Sequence, residues 1–191
     1  DLIVITNNLQ RRDAAKALVA IDALEAKRPK SALPHNLRGS ALLLKSDVAG
    51  ARVAFAKAPE LDASYFPAAA NLASLDMREG KRGDAITRFE RMLAKEPKNA
   101  RLAIALADSL ARDARPPKEI SDVLERTIKE VRSAPELHLA LVAHHLRSNK
   151  PKLAVNAAQA GVAALPNNGQ MLEQLGLAQQ AVGEGNQAIA T

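Results

Sequence analysis

The sequence contains no cysteine, no tryptophan, one tyrosine and three phenylalanines among its 191 residues. Without cysteine, the chain has no disulfide, no thiolate metal site and no thiol nucleophile. Aromatic residues make up 2% of the chain while hydrophobic residues make up 47%, so the apolar core must be mainly aliphatic. Alanine and leucine dominate the core, and both favour helices. The many small alanine side chains allow neighbouring helices to pack closely.

The sequence also lacks a long apolar run. A membrane-spanning helix takes roughly 18 or more consecutive apolar residues, and no stretch of the chain has them. The first residues, DLIVITNNLQRR, carry neither an initiator methionine nor the basic-then-apolar order of a signal peptide. We therefore expect the chain to be a piece of a longer or processed protein. Its formal net charge of +6 is compatible with an acidic partner without requiring one.

A unit of 34 residues recurs along the whole chain. In residues 66–99, Ala85 stands at position 20 of the unit, Phe89 at position 24 and Pro97 at position 32. Similar residues recur at the same spacing in the copies before and after residues 66–99. The fourth copy has one extra residue. Position 8 is small or apolar in every copy. The copies span residues 1–31, 32–65, 66–99, 100–134, 135–168 and 169–191.

This pattern resembles the tetratricopeptide repeat (TPR), a helix–turn–helix unit. Small residues at positions 8 and 20 allow the two helices of a copy, here called A and B, to approach closely. The bulkier residue at position 24 fills the space between them, and proline at position 32 ends helix B. The resemblance implies an all-α fold: a right-handed TPR superhelix of about five and a half stacked repeats, which forms one solenoid and continues in a longer array.

Two features depart from the regular pattern. Pro59 falls at position 28, inside a B helix, and we expect it to kink or shorten that helix. The extra residue of the fourth copy is predicted in or near Arg115-Pro116-Pro117, between helices A and B. Pro117 and Pro151 suit the first turn of the helix that follows. The last helix is cut at Thr191 and is expected to fray.

No group of residues predicts catalysis. The chain has no glycine-rich phosphate loop and no G-x-S-x-G motif, and its carboxylates are scattered rather than convergent. His144 and His145 are adjacent and His138 is seven residues from His145, whereas a helical metal site takes histidines four residues apart together with a carboxylate. We interpret the histidines as structural or surface residues and expect no enzyme activity, no cofactor and no metal.

Binding is expected on the inner face of the superhelix. In tetratricopeptide arrays this face is lined by helix A, mainly at positions 2, 5, 9, 12 and 13, which share one side of the helix. The apolar residues, small side chains and rim arginines found there predict a groove for an extended peptide or a helix of a protein partner. The candidates are Asn36, Ser40, Leu43, Ala70, Asn71, Ser74, Met77, Arg78, Arg101, Ile104, Asp108, Arg112, Leu146 and Arg147.

The turns between helices A and B give a second candidate surface. Successive turns would form a basic edge that docks an acidic protein, an anionic polysaccharide or lipid headgroups, although basic turns also serve simply for solubility. Nucleic acid is not expected, because no aromatic residues are interleaved for base stacking. The residues of this basic edge are Lys45, Lys81, Arg82, Arg115, Lys150 and Lys152.

Two stretches resemble a narrower group of tetratricopeptide proteins. HNLRGSALLLKSDVAGARVAFAKAPELDASYFPAAANLA and LALVAHHLRSNKPKLAVNAAQAGVAALPNNGQMLEQLGLAQ are similar to the long repeat proteins of the bacterial PEP-CTERM/exosortase system. The resemblance covers most of residues 30–185. It implies a scaffold for exopolysaccharide assembly or protein sorting in the periplasm of a Gram-negative envelope, within a lipid-anchored parent protein. A cytoplasmic assembly adaptor and polysaccharide binding by the basic edge remain open as alternatives.

The repeat register predicts that Phe55 and Phe89, both at position 24, lie in the core. Phe89→Ala should therefore lower the free energy of unfolding by roughly 3–5 kcal/mol, through lost apolar burial and the cavity left behind. Chemical denaturation followed by circular dichroism measures this loss. An unchanged unfolding curve would contradict the register.

Overall fold

The computed structural model describes residues 1–183, and this part of the chain forms eleven α-helices and no strand. The helices alternate between helix A, with odd numbers, and helix B, with even numbers. Their bounds are α1 Leu2–Gln10, α2 Ala14–Lys27, α3 Ala32–Leu44, α4 Val48–Leu61, α5 Phe66–Arg78, α6 Arg82–Lys95, α7 Ala100–Arg112, α8 Pro117–Glu130, α9 Pro135–Arg147, α10 Pro151–Ala164 and α11 Gly169–Ala181. The predicted all-α repeat fold is confirmed. The predicted fraying of the last helix concerns residues 184–191, which lie outside the described part of the chain.

Helix lengths follow the 34-residue period. From α3 onward each described A helix has 13 residues, and each B helix has 14. The A–B turn at residues 113–116 is one residue longer than the turns at 79–81 and 148–150. This position of the extra residue confirms the prediction. Pro117 and Pro151 are the first residues of α8 and α10, also as predicted.

Pro59 was predicted to kink or shorten its helix, and the predicted shortening is wrong. Helix α4 runs on to Leu61 and has 14 residues, like the other B helices. Pro59 lies in the last turn, where its missing N–H removes one helical hydrogen bond, the one to the carbonyl of Phe55. The N–H of Asp62 still donates to the carbonyl of Ala58 at 2.9 Å, which closes the helix end.

One residue of every described A–B turn has a positive φ, at position 15 of the copy. These residues are Arg12, Ser46, Gly80, Ala114, Asn149 and Gly183. In the first five of these turns, the next residue donates its N–H back to the carbonyl of position 11, as Asp47 does to Leu42 at 3.0 Å and Lys81 to Asp76 at 2.8 Å. This is the Schellman arrangement, which satisfies carbonyls at the end of helix A and reverses the chain.

The chain divides into two compact units, Asp1–Arg88 and Phe89–Thr191, and the boundary falls inside α6. In the first unit, one core cluster joins α1, α2 and α3 through Ile5, Ala17, Ile21, Leu24 and Ala41. A second cluster centres on Phe55, which is 0% exposed and packs with Ala51, Leu72 and Leu75.

In the second unit the core is again aliphatic. Phe89 is 4% exposed, so the predicted core positions of both Phe55 and Phe89 are confirmed. The other buried apolar residues come from α7 to α11 and include Leu102, Leu106, Leu110, Leu124, Leu137, Val142, Ala154, Ala158, Met171 and Ala178. The small residues among them let neighbouring helices lie close together.

The contact of Gly39 with Phe55 shows how closely helices A and B approach. Gly39 of α3 and Phe55 of α4 occupy positions 8 and 24 of the copy at residues 32–65. A Cβ atom added to Gly39 would overlap the Phe55 ring. The ring is fully buried and has no open space to move into. Position 8 of this copy is therefore limited to glycine by its packing partner.

Gly39→Ala should lower the free energy of unfolding by about 1–3 kcal/mol, the usual cost of overfilling a packed core. This is opposite to the ordinary effect of the same substitution in a helix, which is stabilising. Gly83→Ala in α6 is the matched control, because a Cβ there meets nothing within 4 Å, and it should leave stability unchanged or raise it. Urea unfolding of the two variants beside the wild type measures the difference. A Gly39→Ala protein as stable as Gly83→Ala would contradict the packing described.

Candidate protein-binding surfaces

In the first unit, the structure brings together predicted groove residues from α3 and α5. The Asn71 Nδ2 donates a hydrogen bond to the Asn36 Oδ1 at 2.9 Å, which joins two successive A helices on their predicted binding side. Asn36 is largely buried at this contact, and the Ser40 Oγ donates to the Asn36 carbonyl at 3.2 Å. Some of the hydrogen-bonding groups that were predicted to bind a ligand are therefore already bonded to one another within the protein.

The remaining groove candidates of this unit differ in exposure. Leu43 is half-buried and packs against the cluster around Phe55. Ala70 and Met77 are half-buried on α5, whereas Ser74 and Arg78 are exposed. The A-helix face of α3 and α5 thus offers small, apolar, polar and cationic groups within one short surface.

In the second unit, the predicted groove residues lie on α7 and α9. On α7, Arg101, Asp108 and Arg112 are exposed, and Ile104 is half-buried. Leu146 and Arg147 stand at the end of α9, where Leu146 is half-buried and Arg147 is exposed. These residues repeat the mixture of apolar and charged groups seen on α5.

All six residues of the basic edge are exposed. Two of them have acidic partners: the Lys81 Nζ lies 2.8 Å from a Glu79 carboxylate oxygen, and Arg115 donates to both oxygens of Glu119 at 3.1 Å. Hydrogen bonds from Lys81 and Arg52 lower the pKa of Glu79, so this carboxylate stays charged beside the edge. The basic character of the edge is therefore weaker than the sequence predicts.

A buried ionic network links the hairpins of the first unit and was not predicted. Asp76, at position 11 of α5, is 1% exposed and accepts hydrogen bonds from Arg52 of α4 at 2.6 Å and from Arg88 of α6 at 2.9 Å. Arg52 also reaches Glu79 at 2.9 Å. The signal in the sequence was an aspartate at a position where α3 and α7 have leucine. A buried carboxylate held by two arginines is a structural element rather than a reactive one.

Three histidines of α9 are packed in the core of the second unit. The His144 Nε2 donates to the Pro117 carbonyl at 2.8 Å, and the His138 Nε2 donates to the Arg132 carbonyl at 2.9 Å. The Nδ1 of His145 is buried and has no hydrogen-bond partner among residues 1–183. Burial lowers the pKa of His145, and the neighbouring His144 and Lys150 lower it further.

Within residues 1–183, no three histidine, cysteine or acidic side chains lie close enough together to hold a metal ion. The helices in this part of the chain are also too short, or too polar, to cross a membrane.

Comparison with known proteins shows which fold this is. Residues 71–135 match the family model described as tetratricopeptide repeat. No curated protein matches the chain in a sequence comparison.

Several solved structures share the fold. The chain is similar to pilF of Pseudomonas aeruginosa, with a TM-score of 0.63 and 16% identity, covering 97% of this chain and 84% of that one. It is similar to MamA from Desulfovibrio magneticus RS-1, with a TM-score of 0.58 and 17% identity, covering 87% and 93%. It is also similar to YrrB, described as a TPR protein with an unusual peptide-binding site, with a TM-score of 0.52 and 18% identity, covering 88% and 86%.

At these identities the likeness shows the fold alone. The chain has a tetratricopeptide helical repeat fold, a type that generally forms non-catalytic scaffolds for binding proteins or peptides.

The environment of His145 predicts a loss of stability in acid. Its pKa in the folded chain is below the ordinary value of 6.5, so the unfolded chain takes up the proton first as the pH falls. The stabilisation from keeping this residue neutral is complete above pH 6.5 and is lost as the pH falls towards the lowered pKa. His145→Leu removes this titration, and leucine suits the site because Leu110 occupies the same repeat position in α7.

Unfolding of wild type and His145→Leu at several values between pH 7.5 and 5 tests this prediction. The variant should gain stability relative to wild type as the pH falls, with a slope of at most about 1.4 kcal/mol per pH unit, the limit for one proton. Two curves that run parallel over this range would contradict it.

Proposed function

We propose that this chain is a non-catalytic scaffold that binds a partner protein on the A-helix face of α3 and α5, as an extended peptide or as a helix. The observation that carries this proposal is the hydrogen bond between Asn71 and Asn36, because it places predicted groove residues of two successive A helices side by side. Ser74 and Arg78 are exposed on the same face, beside the half-buried Met77. Such a surface combines hydrogen-bonding groups with an apolar anchor site, as peptide grooves do.

The proposed setting rests on the sequence resemblance. The similarity of residues 30–185 to repeat proteins of the PEP-CTERM/exosortase system supports a role in exopolysaccharide assembly or protein sorting. On this proposal the chain works on the periplasmic side of a Gram-negative envelope, as part of a longer, lipid-anchored repeat protein. A cytoplasmic adaptor of the same fold is the alternative setting.

Ser74→Arg tests the proposed face. It places a long charged side chain on the exposed surface of α5 without touching the core, so the protein should fold normally while partner binding falls sharply. Ala56→Arg is the matched control: Ala56 is also a small exposed helical residue of the first unit, but it lies on a B helix. Wild type, Ser74→Arg and Ala56→Arg are used as baits in separate envelope and cytoplasmic extracts, and captured proteins are quantified by mass spectrometry.

The proposal expects a protein captured by wild type and by Ala56→Arg, and lost with Ser74→Arg. A captured protein that comes from the envelope extract would support the proposed setting. One that comes from the cytoplasmic extract would favour the cytoplasmic adaptor. Equal capture by all three baits would contradict binding on this face. If the three baits capture a protein equally and moderate salt abolishes that capture, the result would favour the basic edge, because salt screens exposed charges.

A further inference from the structure

A cavity of about 560 Å³ lies within the second unit, lined by the C-terminal half of α6, by α7 and by α8. Its floor is apolar and is formed by Leu93 of α6, Leu106 and Leu110 of α7, and Val123 of α8. The volume falls in the range of binding pockets, roughly 300–1,000 Å³. None of the predicted groove residues lines the cavity, and the basic edge meets it at Arg115, which is hydrogen-bonded to the lining residue Glu119.

The rim of the cavity carries opposite charges at its two ends. At one end, Glu119 stands in the first turn of α8, where Arg115 donates hydrogen bonds to both of its oxygens at 3.1 Å. Glu90 also lines the cavity and lies close enough to Arg115 to help raise its pKa, so this end has two lining carboxylates against one arginine. Arg126 and Lys129 line the cavity further along α8, accompanied by one carboxylate, Glu130. Glu119 and Arg126 are seven positions apart, which is about 10 Å along the helix axis, or two helical turns.

The chemistry of the walls favours a helix over a small polar ligand. The one buried hydroxyl, the Thr127 Oγ1, already donates to the Val123 carbonyl at 3.1 Å, so it offers no hydrogen to a ligand. What the cavity offers instead is an apolar floor between charges of opposite sign. An amphipathic helix presents this pattern in reverse, with apolar residues on one face and charged residues two turns apart on either side of them.

We propose that this cavity receives the apolar stripe of an amphipathic helix of a partner protein, with a basic residue of that helix beside Glu90 and Glu119 and an acidic residue beside Arg126 and Lys129. The residues of this interface belong to the second unit, whereas the A-helix face of α3 and α5 belongs to the first. Each binding site is thereby testable without the other.

The test uses three stapled helical peptides of equal helicity, each labelled with fluorescein. Each has two leucines at its centre and two charged residues seven positions apart, which are lysine and glutamate, two lysines, or two glutamates. Fluorescence anisotropy at low salt measures binding to the full chain. The lysine–glutamate peptide should bind roughly three- to tenfold more tightly than either like-charged peptide, the difference expected from exposed ion pairs.

Two protein variants complete the test. Ala94→Trp fills the mouth of the cavity from an exposed position and should abolish binding, whereas Ala160→Trp, at an exposed position of α10, should not. Arg126→Glu combined with Lys129→Glu makes both ends acidic and should transfer the preference to the two-lysine peptide.

Equal affinities for the three peptides, or unchanged binding to Ala94→Trp, would overturn the proposal. So would a folded wild type that binds none of the peptides.

Discussion

The close approach of helices A and B within each hairpin is the constraint on which the rest of the structure depends. The alanines at position 20, Ala17, Ala51, Ala85 and Ala154, are all completely buried. Gly39 has no room for even one more carbon atom against Phe55. Because helices at this distance lie in nearly fixed register, the outward face of each A helix is also fixed. The groove residues are therefore positioned by small residues on the opposite side of the same helices.

Polar contacts between hairpins add specificity to this packing. Arg52 and Arg88 come from two B helices and converge on the buried carboxylate of Asp76. Removing one member of such a group leaves a buried charge without its partner, which is more costly than the group is stabilising. The Asn36–Asn71 hydrogen bond joins the neighbouring helices α3 and α5 through neutral side chains. The proposed binding face is thus held by aliphatic packing underneath and by hydrogen bonds at its surface.

Periodicity in the sequence was enough to predict the all-α repeat fold, the extra residue in the turn before α8 and the burial of Phe55 and Phe89. These features depend on residue size and spacing, which a sequence displays directly. The shortening predicted for Pro59 was wrong because the effect of a proline depends on its distance from the helix end. The Asp76 network and the cavity beside Val123 could not be predicted, since they depend on side-chain directions and on gaps between helices distant in sequence. The groove residues and the envelope setting remain predictions.

Binding of a partner protein on the A-helix face of α3 and α5 is best tested by amide hydrogen exchange of the full chain, measured with and without a captured partner. We expect slower exchange in residues 36–43 and 70–78 when the partner is bound. Slower exchange confined to the turns at 79–81, 113–116 and 148–150 would contradict the claim and place binding on the basic edge.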